Sequence, residues 1–264
     1  MERLLVLRLE SQGCTAEAVF NGVPLARVGA TAPVATVPVH EFTFAGGNEV
    51  ELVVHPGPPG AAVAPEPMLA DGQSWASLRL LLPRSGGVAH PASARTLAQI
   101  DWGPAADEVF ETPVSQRRSV ELPISFPRWR WIDAPPIADS PTLKAEVAKY
   151  LLDIAVGLSR GNPEPLIQAS RLKLEDLALA YQRNLADDVG RLRVQIQHLH
   201  AAMPLKPALP AAAKLLLRPV AGGRLLECLR PDGSPLLQSA TAGGGNIAWP
   251  LRLAAIDGRF YVLR

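Results

Sequence analysis

The chain is poor in the residues on which several chemistries depend. Two cysteines among 264 residues, Cys14 and Cys228, are too few and too far apart for a disulfide scaffold or a cysteine-based zinc module. They fit reduced thiols. Long apolar runs are missing too: the stretch over 4–7 is cut by Arg8 and Glu10, far short of a secretory h-region or the ~20 apolar residues of a membrane span. Neither sign of charge dominates, since 26 Lys and Arg face 25 Asp and Glu for a net charge of +1. The whole chain therefore has no electrostatic attraction for nucleic acid or an anionic membrane. These absences predict a soluble, cytoplasmic protein with neither nucleic acid nor membrane as a partner.

What is present is organised in two halves. The length suits two domains at roughly 100–200 residues each. Cut at Pro136, the first half carries 10 basic and 14 acidic residues, net −4, and the second carries 16 basic and 11 acidic, net +5. Patterning changes at the same place, from short alternating apolar runs punctuated by Gly and Pro to the 3.6-residue period of helices. The expected layout is an antiparallel β-sandwich over 1–136 and an α+β domain over 137–264, with the boundary near 134–140.

In the first half, Leu5, Leu7 and Leu9 alternate with Val6, Arg8 and Glu10, predicting a strand over 3–11. Asn21-Gly22 between apolar runs predicts a type I′ hairpin, because both central positions need positive φ. Strands are expected at 34–39, 41–44 and 49–54, the last after a turn at Gly46-Gly47-Asn48, so that a meander results. Five prolines over 56–67 predict an extended surface loop. Further strands are expected at 77–82, 96–102, 120–125 and 129–132. The spacing of strands and turns through Phe20-Asn21-Gly22, Val37-Pro38-Val39 and Gly46-Gly47-Asn48 resembles the jelly-roll sandwiches attached to carbohydrate-active enzymes, without any sugar-binding residue that transfers.

The second half opens with Ser140-Pro141, a cap and first helical position, and predicts a helix to about 160 stopped by Gly161. Leu143, Val147, Leu151, Ile154 and Leu158 form its apolar stripe. A second helix is expected over 163–183 and a third from Asp187 and Asp188, so that helices fill about 141–203. Strands over about 213–264 follow, at 215–218, 224–229, 235–239, 249–253 and 260–263. Helices followed by a meander ending in Asp257-Gly258-Arg259-Phe260-Tyr261 resemble the cone of ketosteroid isomerases and nuclear transport factors.

Tests for catalytic constellations return little. His198 and His200, two apart on a helix, point about 200° apart and cannot share an ion. Gly222-Gly223 and Gly243-Gly244-Gly245 lack the Lys-Ser/Thr of a phosphate loop. No catalytic residue, metal or cofactor is expected. A cone-fold isomerase would need an acid in an apolar pocket, for which Tyr150, Tyr181, Asp153 and Asp257 are the candidates. Glu49 and Glu51 share a strand face, readable as paired carboxylates or as a solvated surface. Trp129 and Trp131 on one face of a strand make either a stacking platform for a ligand or a seal at the domain seam.

The segment 103–111 carries Asp107, Glu108 and Glu111 with no basic residue, beside Trp102 and Phe110. Carboxylates interleaved with aromatics steer a basic partner and then anchor it. These five are the primary partner-binding candidates, with Asp187 and Asp188 secondary. Two halves of opposite charge, no catalytic set and no export signal resemble the cytoplasmic immunity proteins of type VI secretion toxins. That resemblance implies a non-enzymatic protein that binds a cognate toxin, such as a nuclease with a basic surface, and occludes its active site. The other readings are a carbohydrate- or peptide-binding accessory module and a cone-fold isomerase.

Overall fold

The computed structural model describes residues 4–59, 63–84, 87–123, 126–138 and 140–264. Arg3, residues 60–62 of the proline-rich stretch, and Ile124 and Ser125 of the strand expected at 120–125 lie outside the described residues, as does Asp139 in the boundary segment. Antiparallel sheets make up most of the structure, with four α-helices in the middle of the chain. Contacts divide the chain into two compact units, Met1–Arg128 and Trp129–Arg264. Residues following the division are tied to the second unit: Arg130 donates to the Leu172 carbonyl at 3.1 Å, and Ile137 N donates to the Gly223 carbonyl at 2.9 Å.

The described residues of the first unit form ten strands: β1 (Val6–Gln12), β2 (Ala16–Phe20), β3 (Val23–Val28), β4 (Val34–Pro38), β5 (Gly46–Val54), β6 (Glu66–Leu69), β7 (Trp75–Leu82), β8 (Arg95–Trp102), β9 (Val109–Thr112) and β10 (Val114–Leu122). They form two four-stranded sheets, ordered β4-β1-β7-β8 and β10-β5-β2-β3, and a two-stranded ribbon of β6 and β9. The Asn21-Gly22 turn joins β2 to β3 as the sequence predicts, with φ of 50° and 76°. Asn21 does more than turn the chain. Its Nδ2 donates to the Phe42 carbonyl and to Asn48 Oδ1, and its Oδ1 accepts from Glu49 N at 2.8 Å, which ties the hairpin to β5.

The expected meander is not what forms. β4 leaves the β2–β3 sheet to pair with β1, and β5 returns between β2 and β10, so the chain changes sheet at β4 and again at β5. Where a strand was expected at 41–44 there is one 3₁₀ turn, His40–Phe42. His40 Nε2 accepts from Leu5 N at 2.8 Å and Thr43 Oγ1 donates to the Val39 carbonyl at 2.7 Å, so side chains take up the backbone groups of this corner. Gly46-Gly47-Asn48 is no turn. It opens β5 and pairs with Leu122, Glu121 and Val120 of β10. Residues 66–69, at the end of the predicted loop, are the strand β6.

The second unit begins with a 3₁₀ turn at Arg130–Ile132 in place of the strand expected at 129–132. Helix α1 (Pro141–Ser159) starts where Ser140 Oγ accepts from Leu143 N at 3.1 Å and stops at Gly161, whose φ is +68°. The single helix expected over 163–183 is two, α2 (Glu164–Ala169) and α3 (Arg171–Ala180). They part at buried Ser170, a residue with weak helix preference that leaves helical geometry there with ψ near 9°. Helix α4 (Leu185–Ala202) is capped by Asn184, whose Oδ1 accepts from Ala186 N and Asp187 N.

Six strands follow: β11 (Leu216–Val220), β12 (Leu225–Leu229), β13 (Leu237–Ala240), β14 (Asn246–Trp249), β15 (Arg252–Ile256) and β16 (Arg259–Val262). The sheet order is β11-β12-β15-β16, with β13 and β14 a separate hairpin. The strand expected at 249–253 is broken, because Pro250 has no N–H for a ladder and marks the passage from β14 to β15. The core forms where the α1 stripe of Leu143, Val147, Leu151, Ile154 and Leu158 joins Leu217, Leu226, Leu253 and Val262 of the sheet.

Candidate functional site

The ribbon of β6 and β9 assembles most of the partner-binding residues expected from sequence. Glu66 pairs with Thr112, Pro67 with Glu111, Met68 with Phe110 and Leu69 with Val109. The two strands are closed by main-chain bonds, Ala70 N to the Glu108 carbonyl at 2.9 Å and Asp107 N to the Ala70 carbonyl at 3.1 Å. Asp107 sits at φ +65°, a left-handed conformation that Asp tolerates in turns. Exposed Glu108 accepts from Ala105 N at 3.0 Å, a bond local to the turn.

Charge on this ribbon is of one sign. Glu66 and Glu111 lie on its strands and Asp71, Asp107 and Glu108 beside its closed end, and neither 63–75 nor 103–112 contains Lys or Arg; Asp101, in β8, is instead paired with Arg79 at 3.7 Å. Asp71 accepts from Gln73 N and Ser74 N at 2.8 Å each and from Ser74 Oγ, and these donors hold its carboxyl below the usual carboxylate range. Between the carboxylates lie exposed apolar side chains: Leu69 is 64% exposed, Val109 67% and Met68 39%. An acidic strip with apolar side chains facing solvent combines long-range attraction for a cation-rich surface with area that gains by being covered.

Of the two aromatic candidates, Trp102 is withdrawn from the surface. Trp102 is buried in β8, and its ring meets Phe110 edge-on at 5.3 Å and His55 at 6.1 Å. It packs against the ribbon through Phe110. Phe110, half-buried, spans both environments. What the sequence did not disclose is the apolar half of the site, Met68 and Leu69, because β6 pairs with a strand about 40 residues away and carries no hairpin turn of its own.

The remaining candidates are dispersed. Asp187 is exposed, but Asp188 is buried, with Arg183 Nε at 2.9 Å and Arg191 also ion-paired to it, so it presents no open charge to a protein partner. Trp129 and Trp131 are both buried, the Arg264 guanidinium lying 6.0 Å from the Trp129 ring, and form no exposed stacking face. Glu51 accepts from Ser115 Oγ at 2.6 Å and pairs with Arg117 at 3.1 Å, which raises the Arg117 pKa; Glu49 lies on the same face of β5. His198 is exposed on α4 while His200 Nδ1 accepts from Leu205 N at 3.2 Å. Among the described residues no group of three or more His, Cys, Asp or Glu could hold a metal ion.

Of the isomerase candidates, Tyr150 has its hydroxyl buried without a hydrogen-bond partner, and burial pushes its pKa up to about 12. Tyr181 lies beneath Arg183 at 5.1 Å, Asp153 is exposed and Asp257 occupies the β15–β16 turn at φ +49°. They do not converge.

A cleft of about 710 Å³ in the first unit is lined by Glu10, Gln12, Cys14, Thr15, His55 and Trp75. Burial, with Asp71 nearby, raises the Cys14 thiol to about 11, and its Sγ lies 3.4 Å from the Trp75 carbonyl as a donor. Burial also lowers the His55 pKa. A protonated thiol beside a neutral imidazole is a poor nucleophilic pair at neutral pH. Trp75 is 39% exposed here, its Nε1 donating to Gln12 Oε1 at 3.3 Å.

Compared with known proteins, the chain matches no family, no curated protein and no solved structure. Among the described residues no helix is long and apolar enough to cross a membrane.

Proposed function

We propose that this chain is a non-enzymatic, cytoplasmic immunity protein of the type VI secretion kind, which binds a cognate toxin with a basic surface and occludes its active site. The observation that carries the reading is the β6–β9 ribbon, where Glu66 and Glu111 on the strands and Asp107 and Glu108 at the closed end accompany exposed Leu69 and Val109, with no Lys or Arg in either strand. Asp107, Glu108 and Glu111 guide the encounter; Met68, Leu69, Val109 and Phe110 supply the surface that is covered. Nuclease toxins hold cations along the path of their substrate, and an acidic strip is the shape of inhibitor such a path accepts. In this reading the first unit is a β-sandwich domain that carries the toxin-facing ribbon, and the second is a cone-like α+β domain.

The test is to mix the purified protein with the toxin encoded by the neighbouring gene. A stoichiometric complex on gel filtration, with the toxin's activity lost, supports immunity. Absence of both, with the toxin fully active, counts against it. The accessory-module reading draws on a different observation, the Trp75 ring and the Gln12 amide at the mouth of the first unit's cleft, a pairing of stacking face and hydrogen-bonding group that suits a sugar. Saturable glycan binding lost in Trp75→Ala, with no toxin complex, would favour that reading.

A further inference from the structure

A second cleft, of about 320 Å³, lies wholly within the second unit. It sits at the small end of the range of pockets that hold organic ligands, roughly 300–1,000 Å³. Leu166, Leu174, Leu192 and Leu251 give it apolar lining, and Trp249 and Pro250 form a wall at the break between β14 and β15. Lys173, Arg183 and Arg191 also line it, against one carboxylate, Asp188.

The arrangement of these charges is specific. Asp188 is buried, its side chain 7% exposed, and two arginines converge on it: Arg183 Nε at 2.9 Å on one oxygen and Arg191 on the other. Arg183 is held from a second side by the Tyr181 ring, 5.1 Å from its guanidinium carbon. Each guanidinium carries five N–H donors, and these contacts use few of them. One buried carboxylate thus fixes two partly exposed guanidinium groups beside an apolar cleft. Lys173 adds a further cation to the lining.

We propose that this cleft binds a small aryl carboxylate, its flat body against Trp249 and the leucines and its carboxylate shared by Arg183 and Arg191. A carboxylate matches the guanidinium fork in width and planarity, and Asp188, with one oxygen toward each arginine, engages only one nitrogen of each. Asp188 is a positioning residue in this site, since it acts through the arginines. The proposal is independent of the immunity reading, which rests on the other unit.

Isothermal titration with indole-3-propionate and its neutral amide tests the proposal. The carboxylate should bind with saturation, the amide about tenfold or more weaker, because a charge-assisted pair is lost. Arg191→Gln should weaken the carboxylate about tenfold and leave the amide unchanged, while Arg193→Gln, on the same helix but paired with Glu164, should change neither. Trp249→Leu keeps an apolar side chain at the end of β14, so its effect is read beside its thermal melt; weaker binding at unchanged melting supports the wall assignment. No saturable binding, equal affinity for acid and amide, or wild-type affinity in Arg191→Gln would overturn the proposal.

Discussion

Leu69 lies opposite Val109 across the β6–β9 ribbon, and both side chains point largely into solvent, 64% and 67% exposed. Large apolar residues paired in this way contribute little to the fold, since neither is withdrawn from water. Replacing both by Ser should shift unfolding free energy by no more than about 0.5 kcal/mol per site in urea titration. A loss several times larger would mean that the pair is part of the packed structure.

Tyr150 gives a prediction of opposite sign to the usual core substitution. Its hydroxyl is buried with no hydrogen-bond partner, and a buried unsatisfied donor costs about 1–3 kcal/mol. Tyr150→Phe keeps the ring near Phe260, at 5.8 Å, and removes the group that lacks a partner. The variant should be as stable as the parent or more so. A fall of 1 kcal/mol or more in denaturant unfolding would show that the hydroxyl is satisfied.

Asp176 joins three parts of the second unit. It accepts from Arg130 at 3.0 Å and from both terminal nitrogens of Arg264 at 3.2 Å, and the Arg264 side chain is almost wholly buried. Asp176→Asn removes the charge of the carboxylate that faces that guanidinium in a place water reaches poorly. About 3–5 kcal/mol of stability should be lost. Unchanged unfolding in Asp176→Asn would contradict the assignment of this pair as a structural one.

The thiols yield a pH dependence. Cys14 is raised from an ordinary 9.0 to about 11, and Cys228 is raised further by complete burial. The folded state keeps these protons where the unfolded state releases them, so stability contributed by the protonated thiols is complete below about pH 9 and declines as pH rises toward 11. At neutral pH burial keeps Cys14 almost wholly in the thiol form. A disulfide reagent should therefore label the native protein slowly and both cysteines promptly after denaturation; rapid native labelling would mean an exposed, activated thiol.

Local signals carried well from sequence to structure. Asn21-Gly22 and Ser140-Pro141 act on their immediate neighbours, and each produces the turn or helix start that its chemistry predicts. The α1 stripe likewise needs only its own period. Long-range pairing was not legible. β6 is four residues whose partner lies across two other strands of sequence, and Asp176 draws its arginines from positions 130 and 264. Trp129 and Trp131 alternate as a strand would, yet their segment forms a 3₁₀ turn with both indoles buried. The acidity of the ribbon was readable because it depends on composition alone; its exposed apolar side chains, which depend on pairing, were not.

The most direct test of the ribbon's proposed role is stopped-flow association with the neighbouring gene's toxin, comparing the parent with the triple variant Asp107→Lys, Glu108→Lys, Glu111→Lys. Carboxylates at the rim of an interface act mainly on encounter, so the variant should associate at least about tenfold more slowly at low salt, with a flatter salt dependence and a smaller change in dissociation. Association, dissociation and salt slope all equal to the parent's would contradict the account, leaving the ribbon a solvated surface.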